Sequence, residues 1–174
     1  MYKQIYNKIL ARPIISLGIL QLLLILIVFI NIVFFPNDYM FTNVFDGLKN
    51  YFTFFQFVTQ DASPLGPWHF TEMNYPFGEY IFFTDNTPGL AIPLRFIHQN
   101  IMNIEAYLIG IHNYFFLFNL LVTPILFFLF IKPFAGRHTG MVLFFSIAIS
   151  WTNPQLLKLL YGVYNLSMTS FLLL

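Results

Sequence analysis

The sequence predicts an all-α integral membrane protein with three to four transmembrane helices and a long outer loop. Of 174 residues, 58% are hydrophobic and 9% are charged, whereas about a quarter of the residues in a soluble domain are charged. Long apolar runs without Asp, Glu, Lys or Arg recur along the chain. All seven acidic residues lie between Asp38 and Glu105, and most basic residues flank the apolar runs outside that stretch.

The first apolar run, residues 14–35, predicts transmembrane helix 1. As a helix, such a run extends about 33 Å, enough to cross a hydrocarbon core of about 30 Å. A cleavable signal peptide is the alternative, because three basic residues precede the run. The run is too long for a typical signal sequence and lacks a small-residue cleavage site, so we expect a retained anchor that ends at Pro36.

Two further runs predict transmembrane helices 2 and 3. Helix 2 covers residues 106–131, with a kink expected at Pro124, and a short basic connection at 132–139 follows. Helix 3 covers 140–160, although the pattern leaves its end open, and residues 164–174 begin a fourth apolar run. Because that run stops without a polar cap, we expect an N-terminal fragment of a longer protein.

The distribution of basic residues predicts the orientation. Lys3, Lys8 and Arg12 precede helix 1, and Lys132 and Arg137 lie between helices 2 and 3. Basic residues accumulate on the cytoplasmic side of membranes. We therefore expect residues 1–13 and 132–139 in the cytoplasm, and residues 36–105 on the outer face of the cell membrane.

The outer loop opens with a predicted helix, capped by Asn43 and running from Val44 to Val58. Apolar side chains at spacings of three and four indicate a helix lying in the membrane interface, aromatic side down. That face consists of Leu48, Tyr51, Phe52, Phe55 and Val58. Asp46 falls in the first turn, where the helix dipole favours a carboxylate; by itself, it reads as a capping residue.

The rest of the loop is rich in turns. Two short extended runs, 68–73 and 79–85, flank a Pro- and Gly-containing turn, and this pattern allows a short β-hairpin. Asp85 would lie near the exit of that hairpin. Taken alone, Asp85 and Asn86 read as a turn that leads into Pro88.

Several functions are excluded or disfavoured. A net charge of +1 provides no basic surface for nucleic acid, and the absence of cysteine removes thiol chemistry and cysteine-based metal sites. No phosphate-binding glycine loop is present, and the histidines lack metal-ligand spacing. Arg95 and Lys49 are candidates for binding a phosphate, and could equally anchor the loop to lipid headgroups.

Four strings carry a resemblance to a known family. They are DGLKNYF at 46–52, MNYPFGE at 73–79, TDNTP at 84–88 and NPQLLKL at 153–159. With a cytoplasmic N-terminus, one span and a long outer loop opening on an acid, the chain resembles the GT-C superfamily of membrane glycosyltransferases. The strings are most similar to multi-spanning bacterial members, which implies the bacterial inner membrane.

The resemblance implies transfer of a sugar from a polyprenyl-phosphate donor to an acceptor on the outer face. It implies that Asp46 acts as general base or as ligand of a divalent cation, Mg²⁺ or Mn²⁺, and that Asp85 is a second catalytic acid. Arg95 and Lys49 would bind substrate. The partners would be the lipid bilayer and the lipid-linked donor, with no nucleic acid; the oligomeric state stays open. We expect the 174-residue chain alone to be inactive.

The chain also departs from the family, because many GT-C enzymes carry a second acidic motif in a later outer loop. The alternative is a non-enzymatic multi-span protein, a transport or assembly component whose aromatic loop is an interaction surface. Transporters usually hold ionisable groups inside their spans. This sequence collects its acids on one loop instead, which favours a site at the membrane surface.

Overall fold

A computed structural model describes residues 12–42, 45–74, 76–83, 87–136, 138–152 and 156. The protein is mostly helical, which agrees with the predicted all-α class. Three apolar helical segments form a bundle, and the described residues of 36–104 fold against one end of it. We call this part the outer subdomain, after the location that the sequence predicts for it. The helices are α1 (Pro13–Val28), α2 (Ile30–Phe34), α3 (Phe45–Thr59), α4 (Pro88–Asn100), α5 (Leu108–Ile131) and α6 (Thr139–Trp151).

The first apolar run forms α1 and α2, separated by a break at Phe29. Pro13 begins α1, a position where its missing N–H costs nothing. The hydrogen-bond pattern persists across the break, since the Phe29 N–H donates to the Ile25 carbonyl and the Val33 N–H donates to the Phe29 carbonyl. The predicted single helix is therefore interrupted, but the two pieces together retain a length of about 33 Å.

The long helix α5 is preceded by a 3-10 turn at Glu105–Tyr107 and continues through Pro124. A proline inside a helix leaves the carbonyl four residues earlier without its N–H donor. Here that carbonyl belongs to Leu120, and the side-chain amide of Gln21 on α1 donates to it at 2.7 Å. The Trp151 indole N–H on α6 then donates to the Gln21 carbonyl oxygen at 2.9 Å. One buried glutamine thus links all three segments of the bundle.

Consecutive segments of the bundle run antiparallel, so that α1 and α6 run parallel to each other. Leu17 near the start of α1 packs with Phe128 near the end of α5 and Val142 near the start of α6. At the opposite end, Ile32 packs with Phe116. The outer subdomain therefore leaves and rejoins the bundle at one end, while the connection between α5 and α6 lies at the other.

Among the described residues, one helical stretch, Glu105–Ile131, is long and apolar enough by itself to cross a membrane. Helices α1 and α6 are apolar but shorter. Most of the C-terminal part of predicted helix 3, and all of the fourth apolar run at 164–174, lie outside the described residues.

The outer subdomain has its own apolar core, formed where α3, the hairpin and α4 meet. The hairpin pairs β1 (His69–Phe70) with β2 (Glu79–Tyr80), so the short hairpin that the sequence allowed is present. A 3-10 turn at Ile81–Phe83 follows it. The buried core residues are Phe54, Phe57, Val58, Phe70, Ile81, Ala91, Ile104 and Leu108.

The interfacial face predicted for α3 is divided in the structure. Tyr51 and Val58 are buried inside the protein, whereas Leu48 and Phe52 are exposed. The buried side of α3 packs against α4 and α5. The helix carries aromatic residues on most of its circumference, so spacing alone does not indicate which of them meet the core.

Candidate functional site

The candidate site centres on the start of α3, because Asp46 is the second residue of that helix. Its side chain, the predicted cap Asn43 and all of Asp85 lie outside the described part of the structure. What the structure supplies is the position of the helix turn that carries Asp46. That position is set by contacts one turn further along α3.

Tyr51 fixes α3 to the bundle. Its hydroxyl donates to the Asn113 side-chain carbonyl oxygen on α5, and it accepts from the Phe41 N–H at 3.1 Å. Tyr51 is five residues after Asp46, a rise of about 7.5 Å along a helix. The first turn of α3 therefore lies close to the junction between the outer subdomain and the bundle.

Asn113 completes this junction from the other side. Its side-chain amide donates to the Pro36 carbonyl at 2.7 Å and to the Tyr39 carbonyl at 2.6 Å. One turn earlier on α5, the Gly110 N–H donates to the Asn37 side-chain oxygen at 2.8 Å. These bonds hold the exit of the first apolar segment level with residues 110–113 of α5.

His112 lies in the same region and is buried between aromatic rings. It stacks on Phe54 at a centroid distance of 4.7 Å and meets Tyr51 edge to face at 4.9 Å. These contacts place it in the packing between α3 and α5. Across the described residues, no group of three His, Asp or Glu side chains could hold a metal ion. The role of Asp46 as a metal ligand stays a prediction.

Lys49 is exposed on α3, three residues after Asp46. Residues three apart on a helix share one face. The structure therefore places two predicted site residues, Asp46 and Lys49, within one turn of each other on the same helix, near the end of the bundle. Binding of a substrate phosphate by Lys49 stays a prediction.

Arg95 lies elsewhere, inside the outer subdomain, with 2% of its surface exposed. Its guanidinium donates to the backbone carbonyls of Asp61 at 2.8 Å, Pro67 at 3.0 Å and His69 at 3.3 Å. Its Cζ lies 4.9 Å from the centre of the Phe57 ring. Burial lowers the pKa of Arg95, although an arginine stays charged in proteins. These contacts hold the turn before the hairpin. Contact between Arg95 and a substrate phosphate stays a prediction.

Gln60, which the sequence did not single out, supports the same turn. Its amide donates to the His69 carbonyl at 2.9 Å, and its side-chain oxygen accepts from both the N–H and the hydroxyl of Thr71. The Gln99 amide on α4 donates to the Gln60 carbonyl at 3.0 Å. Gln60 and Arg95 together fix the hairpin between α3 and α4.

Asn113 was also missed, although it carried a usable signal. A strongly polar residue inside an apolar run usually finds a partner within the protein. Tyr51 and Gln60 carried no such signal, because their partners lie on elements that only the folded chain brings close.

No protein-family model, no curated protein and no solved structure matches this chain.

Proposed function

We propose that this chain is a multi-span membrane protein and the N-terminal part of a GT-C-like glycosyltransferase. In this arrangement α1 with α2, then α5, then α6 cross the bilayer. The outer subdomain lies on the outer face. The antiparallel bundle supports the proposal, because it puts the acidic segment at one end and both Arg12 and Lys132 at the other.

One observation carries the catalytic part of the proposal. The Tyr51–Asn113 contact holds the first turn of α3, with Asp46, level with the outer ends of α2 and α5. At that level a bilayer presents its phosphate headgroups. The phosphate of a lipid-linked sugar donor would therefore lie at the same height as Asp46.

The reaction assigned to this site is the transfer of a sugar to an acceptor hydroxyl. The hydroxyl oxygen forms a bond to the anomeric carbon, the bond from that carbon to the phosphate oxygen breaks, and polyprenyl phosphate leaves. The Asp46 carboxylate accepts the hydroxyl proton as the anomeric carbon becomes cation-like. Lys49, three residues further along α3, would face the leaving phosphate.

The test uses membranes from cells that make the protein from its complete reading frame. Asp46→Asn should lower the transfer of labelled sugar from a polyprenyl-phosphate donor by about 10²–10⁴-fold, the usual contribution of a general base. Asp38→Asn is the matched control, because Asp38 is an exposed acid in the turn after α2. We expect that variant to retain normal transfer.

Membrane insertion of both variants is measured alongside, so that loss of protein is not taken for loss of activity. Normal transfer by the Asp46 variant would contradict the catalytic role of Asp46. Absence of transfer in the unaltered protein, with insertion intact, would favour a non-enzymatic multi-span component.

A further inference from the structure

Two consecutive apolar side chains are exposed on the outer subdomain just before α5. Ile101 and Met102 follow the last residue of α4, and 67% and 55% of their surfaces are exposed. Both backbone N–H groups donate to the Ile97 carbonyl, at 2.9 and 3.0 Å, which fixes the turn that presents them. The exposure of these side chains is thus set by a hydrogen-bonded turn at the end of α4.

The position of this turn along the chain limits what can cover it. Glu105, where the stretch long enough to span a membrane begins, is three positions after Met102. Three residues reach at most about 10 Å even when fully extended. If Glu105–Ile131 crosses the bilayer, Ile101 and Met102 cannot lie far above its outer surface.

Neighbouring side chains indicate the same depth. Tyr107, at the start of the span, is exposed, and so are Phe34 and Phe35 at the end of α2. Tyrosine concentrates at membrane–water interfaces, and exposed phenylalanine adds apolar surface beside it. The Asn37–Gly110 bond keeps the end of α2 level with the start of α5. The end of α2 and the start of α5 therefore present apolar surface at one height.

We propose that Ile101 and Met102 insert into the outer lipid–water interface and seat the outer subdomain on the bilayer. The inference rests on the proposed membrane arrangement, and it assigns the lipid contact to the α4–α5 turn. The sequence had assigned that contact to the face of α3. Exposed Glu105 limits the depth, because a carboxylate remains with the headgroups.

The test exploits the absence of cysteine from the chain. Single cysteines at Met102, Phe118 and Phe77 are labelled with an environment-sensitive NBD fluorophore in the full chain, reconstituted in phosphatidylcholine vesicles. Phe118 is exposed in the middle of α5, and Phe77 is exposed at the hairpin turn. Quenching is then measured with nitroxide-labelled lipid and with aqueous iodide.

We expect the label at Met102 to show blue-shifted emission and severalfold stronger quenching by shallow nitroxide lipid than the label at Phe77. The label at Phe77 should respond to iodide. If the label at Met102 behaves like that at Phe77, or is shielded from both quenchers as beneath another polypeptide, the inference is overturned.

The label at Phe118 tests the membrane arrangement separately from the lipid contact at Met102. Quenching there by deep nitroxide lipid, without quenching at Met102, would overturn this inference and leave the membrane arrangement standing. Iodide quenching at Phe118 would overturn both.

Discussion

The side-chain amide of Gln21 donates a 2.7 Å hydrogen bond to the Leu120 carbonyl. Leu120 is four residues before Pro124, so its carbonyl has no N–H donor within α5. A side chain from α1 thus supplies the bond that the proline removes. A carbonyl without a donor costs more free energy in a bilayer core than in water, because no solvent can replace the missing donor.

A double-mutant cycle tests this relationship. Gln21→Leu removes the donor, and Pro124→Ala restores the N–H within α5. We expect the loss of unfolding free energy caused by Gln21→Leu to be about 1 kcal/mol smaller when Pro124→Ala is present. Unfolding in mixed detergent micelles measures all four proteins. The Trp151 bond is lost in both backgrounds and cancels. Additivity within about 0.3 kcal/mol would contradict the compensation.

Asn113 is the second polar residue expected to determine stability. Asn113→Ala leaves the carbonyls of Pro36 and Tyr39 without their donor and the Tyr51 hydroxyl without its acceptor. We expect a loss of about 2–4 kcal/mol, since two part-buried carbonyls lose their donor and a polar group deprived of its partner costs about 1–3 kcal/mol.

The control for Asn113→Ala is Tyr114→Phe, a change at the next residue of α5. It removes one exposed hydrogen bond, which the Tyr114 hydroxyl donates to the Val33 carbonyl. That variant should lose less than about 1 kcal/mol. Equal losses for the two variants, measured by unfolding in micelles, would argue against the junction described here.

Arg95→Lys distinguishes a structural arginine from a phosphate-binding one. Lysine keeps the charge but cannot reproduce the planar fork that reaches three carbonyls. We expect the outer subdomain to lose about 2–4 kcal/mol and thermolysin to cleave residues 61–69 faster. Lys49→Gln removes an exposed charge on α3 and should leave cleavage unchanged. A stable Arg95→Lys variant with weakened donor binding would instead support the substrate-binding role.

Two helical glycines form a matched pair. A Cβ at Gly110 would lie 2.5 Å from the Asn37 side-chain oxygen, whereas a Cβ at Gly18 would meet Ile125 at an ordinary 3.9 Å. Alanine is favoured over glycine within a helix by about 0.5–1 kcal/mol. Gly18→Ala should therefore stabilise the protein by up to that amount, and Gly110→Ala should destabilise it. Thermal unfolding in detergent checks both signs, and stabilisation by both would show that the Asn37 contact is loose.

The proposed orientation predicts which side of a membrane each loop occupies. Single cysteines in place of Glu72, on the outer subdomain, and Phe134, in the connection after α5, both replace exposed residues. A membrane-impermeant maleimide should label the Glu72 variant in intact cells, and the Phe134 variant only after the membrane is opened. Labelling of both in intact cells would exclude the arrangement.

The helical class followed from composition and from the length of apolar runs, and the hairpin followed from its turn residues. The exposed side of α3 did not follow. Phe52 and Phe54 are both aromatic and only two residues apart, yet one is exposed and the other buried. Only the packing of α4 and α5 against α3 decides between them.

The environment of Arg95 was equally inaccessible to sequence reasoning. Its acceptors are backbone carbonyls 26 to 34 residues away, and every residue type carries such a carbonyl. The pattern of side chains along the sequence therefore cannot indicate which carbonyls Arg95 contacts. The start of the helix that carries Asp46 is the opposite case, because neighbouring residues in the sequence determine where a helix starts. Helix α3 begins at Phe45, close to the position the sequence indicated.

The Gln21–Trp151 bond joins residues 130 positions apart and therefore has a consequence for how the protein is made. Ribosomes add about 5–20 residues per second, so Gln21 emerges roughly 7–26 seconds before its partner. The acceptor of the Gln21 amide, the Leu120 carbonyl, is made 99 residues after Gln21, and the donor, the Trp151 indole, comes later still. In the proposed bilayer arrangement, lipid exposure of that amide is less favourable than keeping α1 near the insertion machinery until the third segment arrives. Co-translational release of α1 into lipid alone is correspondingly disfavoured.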